Sequence, residues 1–248
     1  MSSTPCQLSM SDIANAVGDE RHRQAGTRSV RVGGVAAPPG CRTQVIGVRA
    51  WEADGSAISA DAADRVVWIS GRSSAAHAAL SPAQGALIAR AEPYGFEPVT
   101  TGFPFRTVEE PWTRAGIVRA SARNALQYAA LRWHPATARQ VGARLEPLLS
   151  HTTDRLLAVC GSLGLELLVR GLRVLGMPTC RVRIVALGPV CAAPTDGLDL
   201  YVAQAPTDVL SRITYRGPVQ LRPRVAHLDY ALDPGVGELV VQAAEAPW

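Results

Sequence analysis

Short apolar runs alternate with amphipathic stretches along most of this chain. The runs at 65–70 (RVVWIS), 154–160 (DRLLAVC) and 181–187 (RVRIVAL) are bounded by turn formers and rich in aliphatic residues. That is the pattern of strands buried on both faces. Residues 198–203 (LDLYVA) predict a further strand and 219–225 (VQLRPRV) a last one, while 96–105 read as a strand and its exit loop. Helical signals lie between them. Ser81-Pro82 offers an N-cap and a first-turn proline for a helix to Arg90, closed by 93–95. Positions 117, 120, 124, 128 and 131 share one side of a helix over 110–133. His134-Pro135 breaks it, and a second helix covers 136–149. Further helices are predicted at 163–175, stopped by Gly176-Met177-Pro178, and at 236–244. Near the N-terminus, 29–35 and 43–51 alternate in polarity and predict two antiparallel strands, preceded by a polar arm over 1–27.

Strands that alternate with helices imply an α/β fold, a three-layer sandwich with a mostly parallel sheet and antiparallel strands at its N-terminal side. The expected domain spans 28–248. Two consecutive helices before residue 150 exceed what one crossover needs. Residues 106–135 are either a helical lid over a site, with Trp112 and Trp133 near its ends, or an extra layer of packing on the sheet.

Composition narrows the chemistry. With 248 residues, 47% hydrophobic and 19% charged, the chain has the balance of a globular domain with a sizeable core. No run reaches the length of a membrane span, and no basic segment followed by an apolar run predicts a signal peptide. Five cysteines, an odd number with no C-x-x-C, predict free thiols in a reducing cytoplasm rather than disulfides or a zinc site. The net charge is +4 with scattered arginines, so no basic tract points to nucleic acid. Lysine is absent altogether. That excludes a Schiff-base lysine, a Walker-A lysine and a Ser-Lys dyad.

The densest chemical signal is at 156–168, where a buried strand runs into Cys160-Gly161-Ser162-Leu163-Gly164 and then directly into a helix. Such a turn places a serine hydroxyl at the carboxyl end of a sheet, with the backbone N–H groups of a helix start beside it. It needs small flanking residues because strand and helix approach closely. Downstream, Asp208 follows the strand at 198–203, and His227 follows the strand at 219–225. All three therefore fall at carboxyl ends of predicted parallel strands, where open α/β sheets place their sites. Asp196, Asp199 and Asp229 compete with Asp208.

This arrangement resembles the α/β-hydrolase family, whose nucleophile elbow is G-x-S-x-G and whose chain order is Ser, acid, His. Cys160 stands where the family has its first glycine. The resemblance implies a catalytic Ser162, Asp208 and His227, and an oxyanion hole from the N–H of Leu163 and one after the RVVWIS strand, at Gly71 or Arg72. Arg72, His77 and Cys160 would line the substrate site. An alternative register makes Cys160 the nucleophile, flanked by Ala158 and Ser162. The activity implied is cleavage of an ester or thioester through an acyl-enzyme, with no cofactor and no metal. Acyl transfer or cyclisation on chains held by an acidic acyl carrier protein is the near alternative. A non-catalytic binding protein on the same scaffold is the distant one. The segment CGSLGLE lacks the G-x-G-x-x-G spacing, which argues against a dinucleotide-binding enzyme.

Overall fold

The computed structural model describes residues 58–71, 79–105, 112 and 117–248, with the backbone alone described at 117–122. The arm, the two antiparallel strands expected at 29–35 and 43–51, and Arg72 and His77 lie outside the described residues.

Among the described residues, five strands form one parallel sheet. They are β1 (Ala62–Ser70), β2 (Glu97–Pro98), β3 (Thr152–Gly161), β4 (Arg181–Leu187) and β5 (Asp199–Ala203), in the spatial order β2-β1-β3-β4-β5. The apolar runs made this legible: residues 66–69 and 156–160 have essentially no exposure. Such strands need cover on both faces, and receive it. Helices α2 (Ile117–Trp133), α3 (Pro135–Ser150) and α4 (Gly164–Leu175) lie on one side, where Leu131, Leu145, Leu148, Leu165 and Leu168 meet Val67, Ile69, Ala158, Cys160 and Ile184. Helices α1 (Pro82–Ala89) and α6 (Pro234–Glu245) lie on the other, where Ile88, Val236 and Val240 meet Val66, Leu157, Val159 and Val185. The alternation of a strand's side chains thus feeds two separate cores.

Local chemistry sets the helix starts. Ser81 caps α1 in a full capping box with Gln84. Pro135 occupies the first turn of α3 and separates it from α2 at His134. Asp208 caps the short helix α5 (Val209–Thr214), and Asp233 caps α6. The helix expected over 110–133 is described from Ile117 to Trp133, 110–111 and 113–116 lying outside the described residues, and its Leu131 is buried against α3 and α4.

The strand expected at 219–225 does not form. Only Leu221 bridges in parallel to Ala203, and Gln204 N–H donates to Leu221 O at 2.9 Å. Pro218 and Pro223 flank that contact and lack the N–H that a ladder needs. The Gln220 side chain substitutes for the missing ladder by accepting from Val202 N–H at 2.7 Å.

The amino ends of the strands carry ion pairs. Arg155 makes a two-bond fork with Asp64 at 2.7 and 2.8 Å, and buried Arg183 holds Asp199 and the carbonyls of Ala243, Ala246 and Pro247. This ties the C-terminal segment beneath the sheet and leaves the carboxyl ends of the strands for the site. No helix among the described residues is long and apolar enough to cross a membrane.

Candidate active site

Ser162 follows the last residue of the central strand β3 and has φ 51, in the left-handed region that non-glycine residues seldom occupy. The surroundings enforce it. Its N–H donates to Leu187 O and its C=O accepts from Val190 N–H, both at 2.9 Å, so the end of β4 grips the turn on both sides. Small neighbours make the turn sterically feasible. A Cβ on Gly161 would lie 2.7 Å from the Trp68 ring, and one on Gly164 would lie 2.0 Å from Ile69 O.

The turn projects Ser162 Oγ to 2.9 Å from His227 Nε2, and His227 Nδ1 lies 2.7 Å from Asp208 Oδ2. An ionised carboxylate only accepts, so Nδ1 carries the proton and Nε2 is left to accept from the serine hydroxyl. That is the tautomer a general base requires. Asp208 is 1% exposed in its side chain and His227 25%, so the acid is buried and the imidazole is reachable. Burial opposes ionisation of Asp208. Hydrogen bonds from His227, Ser211 N–H and Tyr230 outweigh that and hold its carboxyl below the ordinary 3.8.

One carboxylate does two jobs. Asp208 Oδ1 caps α5 by accepting from Ser211 N–H at 3.1 Å, while Oδ2 faces His227. Of the competing aspartates, Asp199 is spent on Arg183 at the far end of the sheet, and Asp229 only precedes a turn at Tyr230–Leu232.

The sequence reading gave Tyr230 no role. Its buried hydroxyl donates to Asp208 Oδ2 at 2.9 Å and accepts from Ala205 N–H at 2.8 Å. Burial pushes the phenol's pKa up, and the adjacent carboxylate adds to it, so it remains a donor. Gly188, at φ 53, leaves room for this pair: a Cβ there would lie 2.6 Å from the Tyr230 ring and 2.7 Å from Asp208 Oδ2. The available signals were a glycine just after a strand and a tyrosine three residues past the histidine. Tyr230→Phe removes one of the donors holding Asp208 ionised and should lower kcat about tenfold, the cost of one charge-assisted hydrogen bond. The sign of its pH effect follows from linkage. A depressed carboxyl pKa stabilises fully above 3.8 and is lost as the pH falls through the folded value. Losing the Tyr230 donor raises that folded value, so the acid limb of thermal stability should move to higher pH. Identical acid limbs in the two proteins would show that the bond is idle.

Leu163 N–H has no partner among the described residues, and Leu163 sits at the start of α4. Gly71, just past β1, is buried beside it: a Cβ on Gly71 would come within 3.2 Å of Leu163 Cβ. The two expected oxyanion donors are therefore neighbours. Cys160, expected to line the substrate site or in the alternative register to be the nucleophile, does neither. It is fully buried within β3 among Ile69, Ala158 and Ala186, out of reach of any substrate. Burial pushes its thiol pKa far up, and neighbouring Cys191 adds to the shift, which removes the thiolate a nucleophile needs. Cys160→Ala should keep turnover within about threefold and lose about 1–2 kcal/mol of stability as a small cavity opens. A native protein inactivated by iodoacetamide at Cys160 would contradict this placement.

Next to Asp208 and His227 in the chain, Val209, Leu210 and Ile213 on α5 and Leu228 are each more than half exposed. Among the described residues no group of His, Cys, Asp and Glu side chains is placed to hold a metal ion. No protein-family model matches the chain, and no curated protein is similar to it at a significant level.

Proposed function

We propose that this chain is a serine hydrolase of the α/β-hydrolase type, cleaving an ester or thioester through an acyl-enzyme on Ser162. The observation that carries this reading is the relay from Ser162 Oγ through His227 to buried Asp208, at 2.9 and 2.7 Å. Its setting supports it. The nucleophile stands at the end of the central strand in a left-handed turn, the acid follows β5, and the histidine follows the segment bridged to β5 at Leu221.

The chemistry follows from the geometry. His227 Nε2 takes the Ser162 proton as Oγ bonds to the acyl carbon, and the carbonyl oxygen becomes an oxyanion facing Leu163 and Gly71. Asp208 stabilises the imidazolium and holds its orientation. The imidazolium returns the proton to the leaving oxygen or sulfur as its bond to carbon breaks. Water then attacks the ester, with Nε2 again taking the proton, and free acid and Ser162 result. The exposed aliphatic side chains on α5 and beside His227 favour an apolar acyl group over a charged one. Exposed Arg212, Arg216, Arg222 and Arg224, none paired with a described carboxylate, favour a second reading in which the acyl group arrives on an acidic carrier and passes to another acceptor.

A fluorophosphonate probe read by intact mass tests the first reading. One adduct on Ser162, together with hydrolysis of p-nitrophenyl esters across acyl lengths, is expected. No adduct on folded protein and no turnover of any ester would leave a binding protein on this scaffold.

A further inference from the structure

Three side-chain polar atoms among the described residues are buried with no hydrogen-bond partner: Trp68 Nε1, Thr101 Oγ1 and Asn124 Oδ1. Asn124 is the one placed beside the nucleophile turn. It projects from α2 onto Gly71, where a Cβ would lie 2.5 Å from Asn124 Oδ1, 2.9 Å from its Cγ and 3.2 Å from Leu163 Cβ. The carboxamide therefore sits against Gly71, one of the two expected oxyanion donors, which itself neighbours Leu163. A buried carboxamide oxygen without a partner costs stability, and in a native protein such a group calls for an explanation, a catalytic role among them. Leucine would fill the same space without that cost. Gly71 tells the same story from the other side, because any side chain at 71 would displace the carboxamide.

We propose that Asn124 is a third oxyanion donor, its carboxamide hydrogen-bonding the acyl oxygen alongside the N–H groups of Leu163 and Gly71. The proposal rests on the serine hydrolase reading. A half-turn about the last side-chain torsion exchanges Oδ1 and Nδ2 in the same volume, so Nδ2 can be presented when negative charge develops. The buried end of the amide has no partner in the resting enzyme and gains one as the oxyanion forms. Its bond is thus made mainly in the transition state, which raises kcat rather than tightening substrate binding.

The test compares wild type with Asn124→Ala, Asn124→Leu and Asn124→Asp by p-nitrophenyl butyrate kinetics, fluorophosphonate labelling and thermal melting. Both the Ala and Leu variants should lose 10- to 100-fold in kcat with KM within about threefold. The Leu variant should melt no lower than wild type, because it removes a buried orphan. The Asp variant keeps an acceptor and loses the donor, so at neutral pH it should be slower than the Ala variant. Ala and Leu variants within twofold of wild type in kcat would overturn the proposal, as would an Asp variant as active as wild type, which would assign the amide to a substrate donor. If Leu does not fold, the Ala and Asp variants decide alone. Failure of the hydrolase reading looks different: wild type itself shows neither label nor turnover, and both proposals fall.

Discussion

Ser162→Ala is expected to lower kcat by about 10⁴-fold or more, equivalent to roughly 5–6 kcal/mol of transition-state stabilisation. It should also abolish the fluorophosphonate adduct. The covalent route needs Oγ, and nothing adjacent replaces it: Cys160 is fully buried in the strand. His227→Ala should cost a similar factor, and the double variant little more than either single one, because the groups act as a unit. A stability signature accompanies the loss. Ser162 holds φ 51, which costs a side-chain-bearing residue about 1–2 kcal/mol and glycine almost nothing. Alanine inherits the strain. Ser162→Gly should therefore melt above both wild type and Ser162→Ala while being equally inactive. A catalytic turn that trades stability for geometry predicts that order. Retention of more than a tenth of wild-type turnover by Ser162→Ala would remove Ser162 from the mechanism.

The sheet was legible where burial on both faces demanded unbroken apolar runs. β4 spans 181–187 as its Val and Ile pattern predicts, and β3 extends the 154–160 run by two residues at its start and one at its end. The expected last strand failed because an apolar pattern says nothing of ladder donors, and Pro218 and Pro223 remove them on either side of Leu221. The candidate site divides in the same way. Ser162 and His227 carry local signals, a turn of small residues and a position after an apolar run. Asp208 stands apart from Asp199 and Asp229 only through burial and through what each touches, which depends on tertiary packing. Partners distant in the chain were illegible for the same reason. Glu166, fully buried on α4, accepts from the N–H groups of Ala192 and Ala193 at 2.9 Å, and nothing in the sequence near it marks that bond. Asn124 lies on the same side of its helix as Leu131, and nothing in the sequence near it marks the partnerless position its Oδ1 takes against Gly71.

Gly164→Ala is expected to be the most damaging one-carbon change in the described structure. In an exposed helix the exchange gains up to about 1 kcal/mol, since alanine is the better helix former. Here the sign reverses. The added Cβ would lie 2.0 Å from Ile69 O, 2.7 Å from Ile69 C and 3.3 Å from Ser70 Cα, all backbone of the neighbouring strand, which has no rotamer to yield. Helix α4 must therefore move away from β1, yet Glu166 ties it to the 192–193 backbone and Arg170 closes on Glu166 at 2.6 Å. The expected loss is about 3 kcal/mol or more, at the upper end for overpacking, or about 6–12 °C in Tm for a domain of this size. Activity should fall further than stability alone explains. Ser162 lies two residues upstream, and a shift near 1 Å in the Oγ–His227 contact costs about 100-fold in kcat. Gly85→Ala in α1 is the internal control: its Cβ meets nothing within 4 Å, so melting should be unchanged or slightly higher with full turnover. If Gly164→Ala melts and turns over like Gly85→Ala, the close approach of α4 to β1 does not hold the nucleophile in place. A Gly164→Ala protein that is folded below its lowered Tm but about 100-fold slower would show that the glycine at this turn serves catalysis through distance, by letting the helix sit where Ser162 needs it.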